Sequence, residues 1–255
     1  MIPAVLAVLL CASGAAGAAE ATAPSISWRP LTSADGTVLV HGNAFVPENA
    51  GRPWSVERAL NLACDAFRFE VRAGDQWSED VSSGENKERS EFDGYKKRWG
   101  SKVSVWGAYS FLIEPGASYH SDWTAISQMH GSEARPFAIQ FKEDAFLVFT
   151  EHLENAHAVG ALRYSEKLER GTWHRIVFHL IQSSSNDGVL ELWLDGEKVL
   201  SFKGPVGSDG NQAYWKFGIY RGYGPITTPL AVEYANMEVG TRDLSDRIIN
   251  PLAVE

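Results

Sequence analysis

Tyr214-Trp215-Lys216-Phe217-Gly218-Ile219-Tyr220-Arg221 is the stretch whose reading decides the fold. As a β-strand it sorts into two faces, because successive side chains point to opposite sides. Trp215, Phe217 and Ile219 fall on one side and require a core. Tyr214, Lys216, Gly218 and Tyr220 fall on the other. That second face presents a cation and a phenol two pleats apart. The glycine between them leaves room for a molecule to lie against the backbone. Taken alone, the stretch equally describes a surface lysine beside a half-buried tyrosine.

The same period recurs outward from it. Phe67 to Arg72 alternates and closes on Gly74-Asp75, a turn signal. Residues 76–88 are polar with Gly and Ser and read as a loop. Arg89 to Phe92, Ala108 to Glu114, Trp123 to His130, Phe137 to Phe141, Phe146 to His152 and Thr172 to Gln182 read as strands. Leu190 to Leu194 meets Asp195-Gly196, the strongest hairpin signal in the chain, with Lys198 to Phe202 as the return strand. Ala231 to Val239 is a last strand, and Trp54 to Leu62 is the one fair helix candidate. Short strands at this spacing, rich in Trp and Phe, predict an all-β fold: a two-sheet β-jelly roll, a concanavalin-like sandwich with one concave sheet lining a groove. An extended polymer fits such a groove better than a small cofactor does.

The chain of 255 residues opens with an apolar run from Ala4 to Ala12 and the small residues Ala16-Gly17-Ala18. That pattern predicts a signal peptide over residues 1–18, although no Lys or Arg precedes the run. Residues 19–255 then form a single domain, secreted or periplasmic. The run is too short to span a membrane, and no membrane contact is expected after cleavage. Cys11 leaves with the leader, so Cys64 is alone, without an internal disulfide or a Cys/His metal site. A formal charge of −9 argues against nucleic acid as a partner but permits a local basic cleft.

Two further strands repeat the pattern of the opening stretch. Arg89 and Glu91 share a face opposite Phe92, and Gln128 and His130 share a face opposite Met129. Together with Lys216 and Tyr220 this set suits β-elimination from a uronic acid polymer. The C5 proton is weakly acidic beside a carboxylate, and donors such as Gln and Arg stabilise the enolate-like intermediate. His and Tyr can serve as base and as acid toward the departing O4. An ordinary phenol is a poor base at neutral pH, so nearby cations, Lys216 and Arg89, are expected to lower the Tyr220 pKa. No nucleotide or redox cofactor is required.

Arg-Ser-Glu, then Gln-x-His, then Tyr-aromatic-Lys-x-Gly-Ile-Tyr resemble the three signature strands of the jelly-roll polysaccharide lyases, which include alginate, glucuronan and heparin I lyases. The likeness covers most of residues 65–240. Gly171 to Arg175, Gly188 to Gly196 and Gly218-Ile219-Tyr220-Arg221 are similar to the glucuronan and heparin-type members. Met129 and Arg221 depart from the alginate pattern.

The resemblance implies an anionic polysaccharide as substrate, glucuronan or a related glucuronate or mannuronate polymer. It implies Tyr220 as base, acid or both, and His130 as partner acid/base or carboxylate neutraliser. Gln128 and Arg89 would hold the uronate carboxylate. Lys216, Arg221, Tyr214, Glu91 and Arg135 are the substrate-binding candidates, with Lys216 supporting Tyr220 and Glu91 orienting Arg89. A structural calcium fits this fold class, but no Asp-x-Asp-x-Asp run assigns one. Oligomeric state is not readable. A lectin-like binding module on the same sandwich is the alternative. A retaining glycosidase ranks low, because no Glu-x-Asp-x-x-Glu strand supplies its two carboxylates.

Overall fold

Two antiparallel sheets of eight strands face each other in a computed structural model that describes residues 26–32, 35–117, 121–222 and 228–254. The leader expected over residues 1–18, with Cys11, lies outside the described residues. One sheet takes the order β1 (Trp28–Pro30), β4 (Val56–Ala59), β5 (Ala66–Val71), β16 (Leu230–Gly240), β7 (Ser104–Ile113), β12 (His174–Ile181), β13 (Val189–Leu194) and β14 (Glu197–Lys203). The other takes β11 (His157–Lys167), β10 (Ala145–Glu154), β9 (Phe137–Lys142), β8 (Thr124–His130), β15 (Tyr214–Gly222), β6 (Lys87–Asp93), β3 (Asn43–Asn49) and β2 (Val38–Val40). The two short helices are α1 (Ser78–Ser82) and α2 (Asp246–Ile249). This is the jelly-roll sandwich expected from the strand pattern.

An aromatic seam joins the sheets. Phe69 of β5 and Tyr234 of β16 meet Phe92 of β6 and Phe217 of β15, with ring centroids 4.9 to 5.7 Å apart. Most of these pairs are edge-to-face, the arrangement that matches ring quadrupoles and adds about 0.5–1.5 kcal/mol per pair beyond area burial. Trp215 is also inside, with its indole N–H donating to Ser127 Oγ at 2.9 Å. The apolar face of the opening stretch is therefore the core face, and its other face is turned away from the core. The Asp195-Gly196 turn forms as expected, with φ of 51° and 90°, closing the β13–β14 hairpin.

Two expectations fail. The segment read as a helix, Trp54 to Leu62, contains strand β4, paired with β1 and β5. Val56 turns into the core, while Glu57 meets Arg68 across the sheet at 2.9 Å. Those charges look like an amphipathic helix face until the partner strand is known. The segment read as loop, 76–88, holds α1, and Asp80 from that turn is buried beneath the groove sheet's strand β6.

Candidate active site

Strand β15 runs between β8 and β6, and its register assembles the site. Tyr214 lies opposite His130, and Lys216 lies between Gln128 and Asp93. Gly218 lies opposite Glu91, and Tyr220 opposite Arg89. Tyr220, Gln128, His130 and Arg135 line one groove of about 520 Å³, together with Lys87 and Trp123.

Gly218 has φ of 128°, and a Cβ there would stand 2.4 Å from the Ser90 carbonyl oxygen and 2.5 Å from Glu91 Cα. Close approach of β6 and an unusual backbone angle require the glycine. The room it leaves is filled by the neighbouring strand rather than open to a ligand.

Arg89 is buried, and every nitrogen of its guanidinium is engaged. Nε and Nη2 donate to the two Asp80 oxygens at 2.7 Å each; Nη1 donates to Glu48 at 2.5 Å and to Glu91 at 3.1 Å. Its guanidinium carbon sits 4.0 Å from the centroid of the Tyr220 ring. Against the expected grip on a uronate carboxylate, four of its five N–H donors are taken by the protein's own carboxylates and its flat face packs on the Tyr220 ring.

Lys216 is committed in the same way. It is 5% exposed, and its ammonium contacts Glu48 at 2.6 Å, Glu91 at 3.0 Å and Asp93 at 3.4 Å. Against the expected contact with Tyr220 and polymer, its ammonium is taken up by these three carboxylates. Glu91 accepts from Arg89 Nη1 at 3.1 Å, also binds Lys216 at 3.0 Å, and accepts a long 3.4 Å contact from Gln128 Nε2. Glu48 and Asp93 both meet the Lys216 ammonium, so two carboxylates crowd one cation. Burial raises Asp93 to about 6, against the pull of Lys216. Burial also acts on Glu48, but Lys216 and Arg89 prevail and hold its carboxyl below the ordinary value.

Arg221 is 0% exposed and binds Glu88, its partner across β6, at 2.6 Å. It faces the interior with Trp215, Phe217 and Ile219, so its expected contact with substrate is corrected.

Tyr220 is half-buried, with Trp123 edge-on at 4.8 Å. Lys87 stands beside it, with Nζ 5.4 Å from the ring centroid and 2.6 Å from Glu85. Burial raises the Tyr220 pKa; Lys87 and Arg89 oppose it without reversing it. The expected net lowering is therefore corrected, and the opposing cation at the hydroxyl is Lys87 rather than Lys216. Lys87, Arg89 and Glu91 alternate along one strand, so starting the strand two residues earlier would have found it.

His130 is held down to about 4 by burial, then by Lys216 and Arg135, so its imidazole is uncharged at neutral pH. Its Nδ1 and the Gln128 Oε1 have no hydrogen-bond partner among the described residues. Both residues line the groove. Tyr214 packs on the His130 ring at 5.1 Å and under Arg98 at 4.8 Å. Arg135 donates to Glu151 at 2.9 Å and keeps about a third of its side chain exposed at the groove edge. Among the described residues no cluster of three or more His, Cys, Asp or Glu is arranged to hold a metal ion, so calcium has no assignable place there.

The jelly-roll sheet carries a phenol, an imidazole and an amide over one groove. The polysaccharide lyase family profile matches residues 41–238, and the chain belongs to that family. Solved structures with the same fold include an endo-β-1,4-glucuronan lyase from the fungus Trichoderma reesei. It aligns at TM-score 0.56 and 16% identity over 71% of this chain and 87% of that one. An alginate lyase of polysaccharide lyase family 7 aligns at 0.51 and 17% identity, over 69% and 77%. An alginate lyase from Pseudomonas aeruginosa aligns at 0.50 and 16% identity, over 69% and 83%. No curated protein matches the chain by sequence.

Proposed function

We propose that this polysaccharide lyase cleaves a uronate-containing polymer, glucuronan or a related glucuronate or mannuronate chain, by β-elimination over Tyr220. The observation that carries the reading is Tyr220 lining one groove with Gln128, His130 and Lys87, with the Lys87 ammonium 5.4 Å from its ring centre. The Tyr220 phenolate removes H5. The C–H electron pair forms the C4=C5 double bond, and the C4–O4 bond breaks with its pair on O4. The proton then passes from Tyr220 to O4 and regenerates the phenolate. In glucuronate and mannuronate H5 and O4 lie on the same side of the ring, so one phenol serves both transfers. Gln128 and the neutral His130 receive the uronate carboxylate through their N–H groups. The leader read at residues 1–18 supports action outside the cytoplasm.

A panel of glucuronan, alginate, heparin and hyaluronan, assayed for the ultraviolet absorbance of 4,5-unsaturated ends, tests the reading. Product is expected from glucuronan or a mannuronate-rich chain, and Tyr220→Phe should abolish it with the fold intact. Saturable binding without product on any polymer would favour a carbohydrate-binding module instead.

A further inference from the structure

A second cavity opens on the opposite side of the sandwich from Tyr220. It holds about 220 Å³ between the outer face of β12 and β13 and the segment of α2 and Pro251. Arg175, Trp193, Asp195, Arg247, Ile248 and Pro251 are among its lining residues. Along β12 the side chains alternate, with Ile176, Phe178 and Leu180 in the core, so Arg175 faces outward.

Two guanidinium groups here are underused. The Arg175 side chain is half exposed, and its nearest carboxylate oxygen, on Asp195, is 4.0 Å away. That is too far for a hydrogen bond. Asp195 is itself committed: one oxygen accepts from His174 Nδ1 at 2.7 Å and the other from the Arg175 amide at 2.8 Å. Arg247 is 9% exposed, yet it makes only a 3.1 Å bond to the Asn236 carbonyl and a 3.5 Å contact with Glu238. Its Nε has no partner among the described residues. Glu238 is shared with Arg242, at 2.9 Å. A guanidinium carries five donors, and burying one with so few acceptors is costly unless an anion completes the set.

We propose that this cavity binds the carboxylate of a single acidic sugar unit, with Arg175 and Arg247 as donors and Trp193, Ile248 and Pro251 against the apolar ring face. The choice of a uronate rests on the reading of the groove given above; the anion site itself does not. Arginine forks match a carboxylate in two parallel hydrogen bonds, and an aromatic wall adds contact area at little entropic cost. The cavity is too small for a chain segment, so it takes one unit of a strand that continues past it. A polymer held both there and in the groove gains effective concentration at the catalytic face.

The test uses two tryptophans as separate reporters. The indole N–H signals of Trp193, at the outer cavity, and Trp123, in the groove, are followed by NMR in Tyr220→Phe protein. A glucuronate trisaccharide is titrated against a neutral glucose trisaccharide. Both signals should move saturably with the glucuronate probe and stay still with the neutral one. Arg175→Glu should weaken the Trp193 titration by about tenfold or more. It should leave the Trp123 titration, and turnover of the trisaccharide by otherwise wild-type enzyme, unchanged. A Trp193 signal that stays still while Trp123 moves overturns the site. So does one that responds equally to the neutral sugar or survives Arg175→Glu. A still Trp123 with no unsaturated product would instead sink the groove reading, and the Trp193 titration would then support or overturn the outer site by itself.

Discussion

The Arg89 guanidinium lies 4.0 Å beneath the centre of the Tyr220 ring, fastened there by Asp80, Glu48 and Glu91. Carboxylates take four of its five N–H donors, and its flat face is spent on the phenol ring, so its part in the proposed reaction is to position Tyr220. Arg89→Lys keeps the charge and loses the fork to Asp80. It should lower kcat at least about tenfold with little change in KM, because ground-state contacts with the sugar are untouched. A variant in which KM rises and kcat holds would mean that Arg89 grips the uronate after all. Arg89→Ala leaves buried carboxylates unpaired and should cost about 3–5 kcal/mol of stability, read as a lower melting temperature.

Gly218 separates a backbone requirement from a ligand requirement. Gly218→Ala must relieve a Cβ contact of 2.4 Å with the Ser90 carbonyl and adopt a φ of 128°. The expected cost is of the order of 3 kcal/mol, and a fall in melting temperature of roughly 10 °C. A variant that melts like wild type but loses only affinity for polymer would show that the glycine clears space for substrate.

Period-two alternation made the groove face legible. Tyr214, Lys216 and Tyr220, then Gln128 and His130, then Arg89 and Glu91 each share a side in sequence, and each does so in the fold. The same rule carried one residue further would have turned Arg221 inward with Ile219. What alternation does not reveal is which charges meet. Glu48 comes from β3, whose Pro47 breaks any strand pattern, and Asp80 from a polar stretch with no apolar period. Without those carboxylates, Arg89 and Lys216 look free to bind an anion. Glu48 lies 41 residues from Arg89 and 168 from Lys216 in the chain; Asp80 is only 9 from Arg89 but sits on a turn that the polar stretch does not announce.

Asp93 should make stability fall as pH rises through the mildly acidic range. Its folded pKa, about 6, lies above its ordinary 3.8, so the native state holds a proton that the unfolded chain releases. That contribution is fully present below about 4 and is lost as pH climbs through about 6. Asp93→Asn mimics the protonated form beside Glu48. The variant should melt higher than wild type at pH 7, with the difference shrinking toward pH 4. Melting curves across that window check it, and a pH-independent difference would assign the retained proton to another carboxyl.

Lys87 is the cation that decides how much phenolate Tyr220 carries. Burial raises the phenol, and the neighbouring Lys87 is the largest influence opposing it, followed by Arg89. The hydroxyl is therefore protonated at neutral pH, and turnover by a phenolate base rises with pH. Lys87→Met removes the opposing cation, so the Tyr220 pKa should move further up. Each unit of that move costs 1.36 kcal/mol, about tenfold in the phenolate available at a fixed pH. The rising limb of kcat against pH should shift to higher pH by about one unit, with the loss largest at neutral pH and recovered toward alkaline conditions. Spectroscopic titration of the phenolate in the free enzyme should move in step. Rescue by Lys87→Arg would identify charge, rather than shape, as the requirement. A limb that stays in place while overall activity drops would move Lys87 to substrate binding, where its partly exposed ammonium would meet the uronate directly.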